Sequence, residues 1–221
     1  MDMTDMTGFD AQLDANEVFP TGGRTWHGLL QFLAQIGRRG PVKKEGNCET
    51  FQFVTLYTHA QQPLLASSLA KHLLLAKISE AKAKFHLDIA GYVVLDDHIH
   101  FLYVTQHSQK VAPVVDLLRE GFARDWRRLQ CRETKPSSGI DQPIWKSEIK
   151  SYRLTLADEL RTHLNFIHYD PVRHGLVERA ADYAWSSLPA RIHQGHYPGD
   201  WAVQAPPAGV AKVARALYLS T

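Results

Sequence analysis

His98 and His100 are the residues best placed by type and spacing to do chemistry. On a strand, side chains at i and i+2 leave the same face. Two imidazoles so placed can share one divalent ion through one nitrogen each. The second nitrogen of each ring then needs a hydrogen-bond partner. A central strand would hold such a site rigidly. Taken alone, His-x-His on a strand more often marks two partly exposed histidines. A second group lies in Leu164-Asn-Phe166-Ile-His168-Tyr169-Asp170-Pro171-Val-Arg173-His174-Gly175. Phe166, Tyr169 and Asp170 fall at i, i+3 and i+4, on one helical face. A phenol and a carboxylate there could approach a metal bound to a sheet. The same spacing also describes two core aromatics and an Asp ahead of a proline stop.

The elements that must position these groups alternate along the chain. Phe51–Thr58 is aromatic and β-branched, as strands are. Leu64–Phe85 is rich in Ala, Leu and Lys and predicts a helix. Asp88–Leu95 and His98–Thr105 predict two strands joined at Asp96-Asp97 as a hairpin. A helix is expected over Val111–Leu129, a fourth strand over Pro143–Lys150, and a helix over Leu156–Tyr169 closed by Pro171 and Gly175. The order β-α-β-β-α-β is that of an α+β, ferredoxin-like fold with an antiparallel sheet and two helices on one face. The third helix then lies beyond that core. His98, His100, Leu102 and Val104 are expected on the exposed sheet face, and Ile99, Phe101 and Tyr103 beneath the helices. Residues 1–46 read as an extension: an acidic leader, a helix from Arg24 ending at Gly37 and a basic linker with Arg38, Arg39, Lys43 and Lys44. The main domain is expected over 47–190 and a C-terminal tail over 191–221, with one short terminal helix.

The 221 residues carry 25 Lys+Arg against 23 Asp+Glu, a net charge of +2, which excludes a uniformly cationic nucleic-acid coat. Two cysteines, Cys48 and Cys131, are too few for a disulfide framework or a Cys-based zinc site. With no signal peptide and no stretch long and apolar enough to cross a membrane, a cytoplasmic protein with no membrane partner is expected.

Taken together and in order, these segments resemble the REP-associated tyrosine transposases of the HUH-type, single-tyrosine superfamily. The resemblance rests on Tyr92-Val-Val-Leu-Asp-Asp-His98-Ile-His100, Ile144-Trp145, Phe166 through Val177, Trp185-Ser186-Ser187 and His196-Tyr197-Pro198-Gly-Asp200-Trp201. It covers about residues 47–201 and implies metal-assisted cleavage and rejoining of single-stranded DNA folded as a repeated extragenic palindrome hairpin. His98 and His100 would be ligands of Mg²⁺ or Mn²⁺, and Asp170 stands where the family carries an Asn or Gln ligand. A tyrosine hydroxyl would attack the phosphodiester, leaving a 5′-phosphotyrosine and a free 3′-OH. The resemblance is compatible with a homodimer and with a monomer.

This chain departs from the pattern where it matters most. The family nucleophile falls on Phe166, which has no oxygen. Tyr169 is the nearest substitute, about 4.5 Å further along the axis at about 1.5 Å per residue; Tyr152 is more distant. Two outcomes stay open: a nucleophile relocated to Tyr169, or a relative that binds structured DNA without cutting it. A metal-dependent hydrolase using His98, His100, Asp170 and an activated water is a third. For DNA contacts, Arg119, Arg124, Arg127, Arg128 and Arg132 cluster around Trp126, offset in part by Glu120 and Asp125. Trp145, Arg173 and His174 complete the expected DNA-binding set. Trp126 is expected in the core.

Overall fold

The computed structural model describes residues 49–106, 111–133 and 143–218. The helix expected over 24–37, the basic linker, Cys48 and the boundary near 46 lie outside the described residues, as does the side chain of Arg132. The described elements run β1 (Glu49–Tyr57), α1 (Ser68–Phe85), β2 (Asp88–Val94), β3 (His98–Gln106), α2 (Val111–Glu133), β4 (Lys150–Leu154), α3 (Ala157–Arg173), α4 (Leu188–His193) and α5 (Val210–Tyr218). The sheet order is β2-β3-β1-β4, every neighbour antiparallel. This is the α+β, ferredoxin-like arrangement, with β1 and β3 at its centre. No helix among the described residues is long and apolar enough to cross a membrane.

Alternation along β3 decides what each sheet face becomes. Ile99, Phe101 and Tyr103 join Leu74 and Ile78 of α1 and Val115, Leu118 and Phe122 of α2 in one apolar cluster. Leu102 and Val104 join Leu160, Leu164, Phe166 and Ile167 of α3 and Val210, Val213 and Leu217 of α5 in another. Each fully buried Leu, Ile or Phe contributes about 1.5–3 kcal/mol, so both faces are tightly covered. The second face was expected to be exposed. It is not, because α3 and α5 lie over it, and His98 and His100 are 1% and 0% exposed.

The fourth strand also differs from expectation: it begins at Lys150, where the predicted one ends. Pro143 has no N–H to pair. Ile144 and Trp145 instead plug the core from a non-strand segment that touches the sheet edge through the Thr58–Trp145 bridge. Helix α3 runs past Tyr169 to Arg173 with Pro171 in its last turn, and Gly175 follows at φ +67°. That extra turn keeps Asp170 helical. Gly91 lets α3 sit close on β2. A Cβ there would lie 2.8 Å from Leu164 Cδ2, and the strand register shifts between Ile89 and Gly91. The free edge of β2 is covered by 183–187 through Val94 N–H to Trp185 O and Tyr183 Oη to Val94 O, 2.9 and 2.7 Å.

Candidate functional site

The register of β3 sets His100 opposite Thr55 and His98 opposite Tyr57. Each imidazole is held from two sides. His100 stacks on Phe53 at 5.6 Å and its Nδ1 lies 2.7 Å from Thr55 Oγ1. His98 stacks on Tyr57 at 5.1 Å and its Nδ1 lies 2.5 Å from Asp97 Oδ1. With both Nδ1 atoms engaged, both Nε2 atoms face α3. There Asp170 Oδ2 stands 3.2 Å from His100 Nε2 and 3.5 Å from His98 Nε2. The other carboxylate oxygen takes Arg173, one turn later on the same helix.

Burial and charge act in opposite directions on this cluster. Burial pulls His100 down to about 4 despite the neighbouring carboxylate. Burial acts the same way on His98, but Asp170 and then Asp97 outweigh it, and its pKa is raised. Burial would raise Asp170; its contacts with His100 and His98 prevail and hold it below the usual carboxylate range. The cluster is therefore an imidazole–carboxylate set with its acid ionised.

These residues fit a divalent ion. His100 Nε2 and Asp170 Oδ2 are both buried without a hydrogen-bond partner, 3.2 Å apart. Two polar atoms left in this state are costly unless a cation takes both. Among the described residues, His98, Asp170 and His174 also offer ligand atoms all within 4.8 Å of one another. His174, expected as a DNA contact, thus stands four residues after Asp170 as a further ligand, at the exposed rim of the site.

The other expected residues are dispersed. Phe166 faces the pair, its ring 5.0 Å from His100 and beneath the Arg173 guanidinium at 5.3 Å. Tyr169 is half-buried and packs on the apolar cluster beneath α3. Trp145 is buried, its indole N–H donating to Arg119 O at 3.0 Å. Arg119 itself donates to Lys146 O at 2.9 Å. Arg124, Arg127 and Arg128 ride on α2, whose core side packs on the sheet face opposite His98 and His100. Arg124 and Arg128 are exposed, and Asp125 ion-pairs with both. Trp126 is half-buried against Phe122, as expected. Sequence reasoning missed Tyr218. Its hydroxyl lies 3.3 Å from His98 Nε2 and 3.4 Å from His174 Nε2. Burial, and then Asp170, push its phenol pKa up. A short terminal helix was expected in this tail, but no local signal tells where it docks.

No protein-family model matches the chain. Two curated relatives do. A REP-associated tyrosine transposase of Escherichia coli K12 is 25% identical over 125 residues, 57% of this chain and 68% of that protein. A relative from Haemophilus influenzae Rd, assigned to the same transposases, is 29% identical over 120 residues, 53% and 68% of the two chains. In sequence the chain is a relative of the REP-associated tyrosine transposases. The fold agrees. A solved REP-associated tyrosine transposase bound to a REP hairpin superposes with a TM-score of 0.56 at 22% identity, covering 75% of this chain and 89% of that one.

Proposed function

We propose that this chain binds single-stranded, hairpin-forming DNA of REP type, and cleaves and rejoins it by metal-assisted attack of a tyrosine hydroxyl on a phosphodiester. The observation that carries this reading is the convergence of His98 Nε2, His100 Nε2 and Asp170 Oδ2 in a buried site where two of the three atoms lack a partner. His98, His100 and Asp170, with His174 at the rim, would hold Mg²⁺ or Mn²⁺, ions that suit carboxylate and imidazole donors. When bound, such an ion polarises a phosphoryl oxygen as a Lewis acid. The chain's own residues do the rest. Thr55 and Asp97 fix the two imidazoles, and Arg173 stands beside the carboxylate where a phosphate would arrive. The exposed arginines of α2 would track backbone on the far side of the sheet, a sequence-independent and salt-sensitive contribution.

A second reading is favoured by Phe166. If no hydroxyl reaches the phosphate, the chain recognises hairpin DNA without cutting it. Gel-shift titration with a hairpin oligonucleotide, competed by duplex of the same composition and followed by Mn²⁺ addition, separates these. Hairpin preference with metal-dependent release of a fragment that a polymerase can extend supports cleavage. Hairpin preference with no cleavage supports the binder. No preference for hairpin over duplex refutes both.

A further inference from the structure

With Phe166 at the family's nucleophile position, the cleavage reading lacks an attacking oxygen, and the structure offers one elsewhere. Four tyrosines lie near this face of the sheet. Tyr169 is half-buried and packs against the apolar cluster beneath α3. Tyr152, on β4, is 37% exposed and lies 6.3 Å from the Phe53 ring. Tyr57 lies against His98, and its hydroxyl is sealed from solvent. Tyr218 differs from all three. Its hydroxyl is within 3.4 Å of both His98 Nε2 and His174 Nε2, while its ring, like that of Tyr169, is half-buried against the cluster shared by α3 and α5. It stands at the mouth of the site, beside the two rim groups His174 and Arg173.

That placement is built into the fold by several anchors. Helix α5 sinks Val210, Val213 and Leu217 into the cluster it shares with α3. It starts from Gly209 at φ +84°, where a Cβ would lie 2.4 Å from Thr162 Cγ2. Only glycine allows both that backbone and that approach. At the other end the buried Lys150 Nζ donates to Leu217 O at 2.5 Å, a cation on the carbonyls of the last turn. Arg173 lies 5.2 Å over the Tyr218 ring. The residue before Tyr218 is thus tied to β4, and the ring itself to the last turn of α3.

We infer that Tyr218 is the nucleophile of strand cleavage, taking the role that Phe166 cannot fill; this rests on the hairpin-cleavage reading. Tyr218 Oη forms a bond to the scissile phosphorus and the P–O3′ bond breaks. The phenol proton ends on the released 3′ oxygen. The products are a 5′-phosphotyrosine and a 3′-OH, so the exchange balances without a co-reactant. Rejoining is the same step reversed, with a 3′-OH attacking the phosphotyrosine.

The test uses the full chain, Mn²⁺, and a pool of single-stranded oligonucleotides carrying hairpins of randomised stem and flank. Adducts that survive denaturation are digested, and the phosphotyrosine is located by mass spectrometry. The nucleotide-bearing peptide is expected to contain Tyr218. Tyr218→Phe is expected to lose the adduct while still binding the hairpin pool in EDTA. An adduct on Tyr169 or any other tyrosine overturns the assignment and leaves the cleavage reading standing. So does an adduct that persists in a folded Tyr218→Phe. Wild-type protein that binds hairpins but yields neither adduct nor cut strand overturns both. Mapping on the wild type keeps the test decisive even if Tyr218→Phe folds poorly.

Discussion

Replacing Thr55 by Val tests whether the sheet holds His100 in the state a metal needs. Thr55 and His100 are both 0% exposed, and Thr55 Oγ1 lies 2.7 Å from His100 Nδ1. For His100 Nε2 to present a lone pair toward Asp170, Nδ1 must carry the proton and donate it to Thr55. Val keeps nearly the same shape but accepts nothing. Nδ1 is left buried without a partner, at a cost of about 1–3 kcal/mol in stability. The tautomer is also released: Nε2 can now carry the proton and donate it to Asp170 Oδ2, 3.2 Å away, and a cation must displace it. Loss of such an outer partner weakens metal binding about 10- to 100-fold, or about 1.4–2.7 kcal/mol. Isothermal titration with Mn²⁺ reads the affinity, and urea unfolding of the metal-free chain reads the stability. Thr55→Ser keeps the hydroxyl and should stay within about threefold of wild type, well short of that loss. A folded Thr55→Val that binds Mn²⁺ within twofold of wild type would refute the argument that Thr55 sets the His100 tautomer.

Three further expectations follow from the packing and charge of the same region. Gly91→Ala drives a methyl group against Leu164 and should cost about 1–3 kcal/mol. Leu164→Ala alone should cost about 2–5 kcal/mol, and the double variant at least about 0.5 kcal/mol less than the sum; additive costs from urea unfolding would show that the two do not meet. Phe166→Tyr places an oxygen at the family position, in a side chain 0% exposed and against His100. Adduct mapping on that variant should find DNA joined to position 166, and none there would mean that α3 does not present this position to the strand. His168 is held neutral, its pKa pulled from 6.5 to about 3 by burial and then by Arg191. Its folded pKa lies below the unfolded value, so the unfolded chain takes up a proton below pH 6.5 that the folded chain refuses. Stability should therefore fall as pH drops from 6.5 toward 3, and this group's share at pH 5 is about 2 kcal/mol. His168→Gln should flatten the unfolding free energy between pH 7 and 5 by that amount, and an unchanged slope would sink the assignment.

Much of the fold was legible because each signal was local. Alternation in β3 correctly divided Ile99, Phe101 and Tyr103 from His98, His100, Leu102 and Val104. The β-α-β-β-α-β order was equally plain. What failed depended on tertiary contact. Ile144 and Trp145 look like strand residues, but they pair only at a single bridge beyond the end of β1, through Ile144 O and the Lys146 N–H, and serve as a core plug. The exposed face foreseen for the histidines is closed by α5, a helix 110 or more residues away in the chain. The site divides in the same way. His98, His100 and Asp170 were visible from spacing and resemblance, and the fold brings them together. His174 carried only a general expectation of phosphate contact. Tyr218 carried none, because its place depends on Lys150 meeting Leu217 O across 67 residues.

The most direct measurement is a denaturing gel of end-labelled, flanked hairpin DNA incubated with the dialysed full chain, in Mn²⁺ and in EDTA, beside the His98→Ala/His100→Ala variant. The account predicts a slow protein–DNA band and a shortened strand only for wild type in Mn²⁺, with hairpin binding kept in EDTA. Cleavage that persists in EDTA or in the double variant would contradict a metal centre at His98 and His100, and intact DNA in Mn²⁺ at saturating hairpin binding would contradict the strand-transfer activity itself.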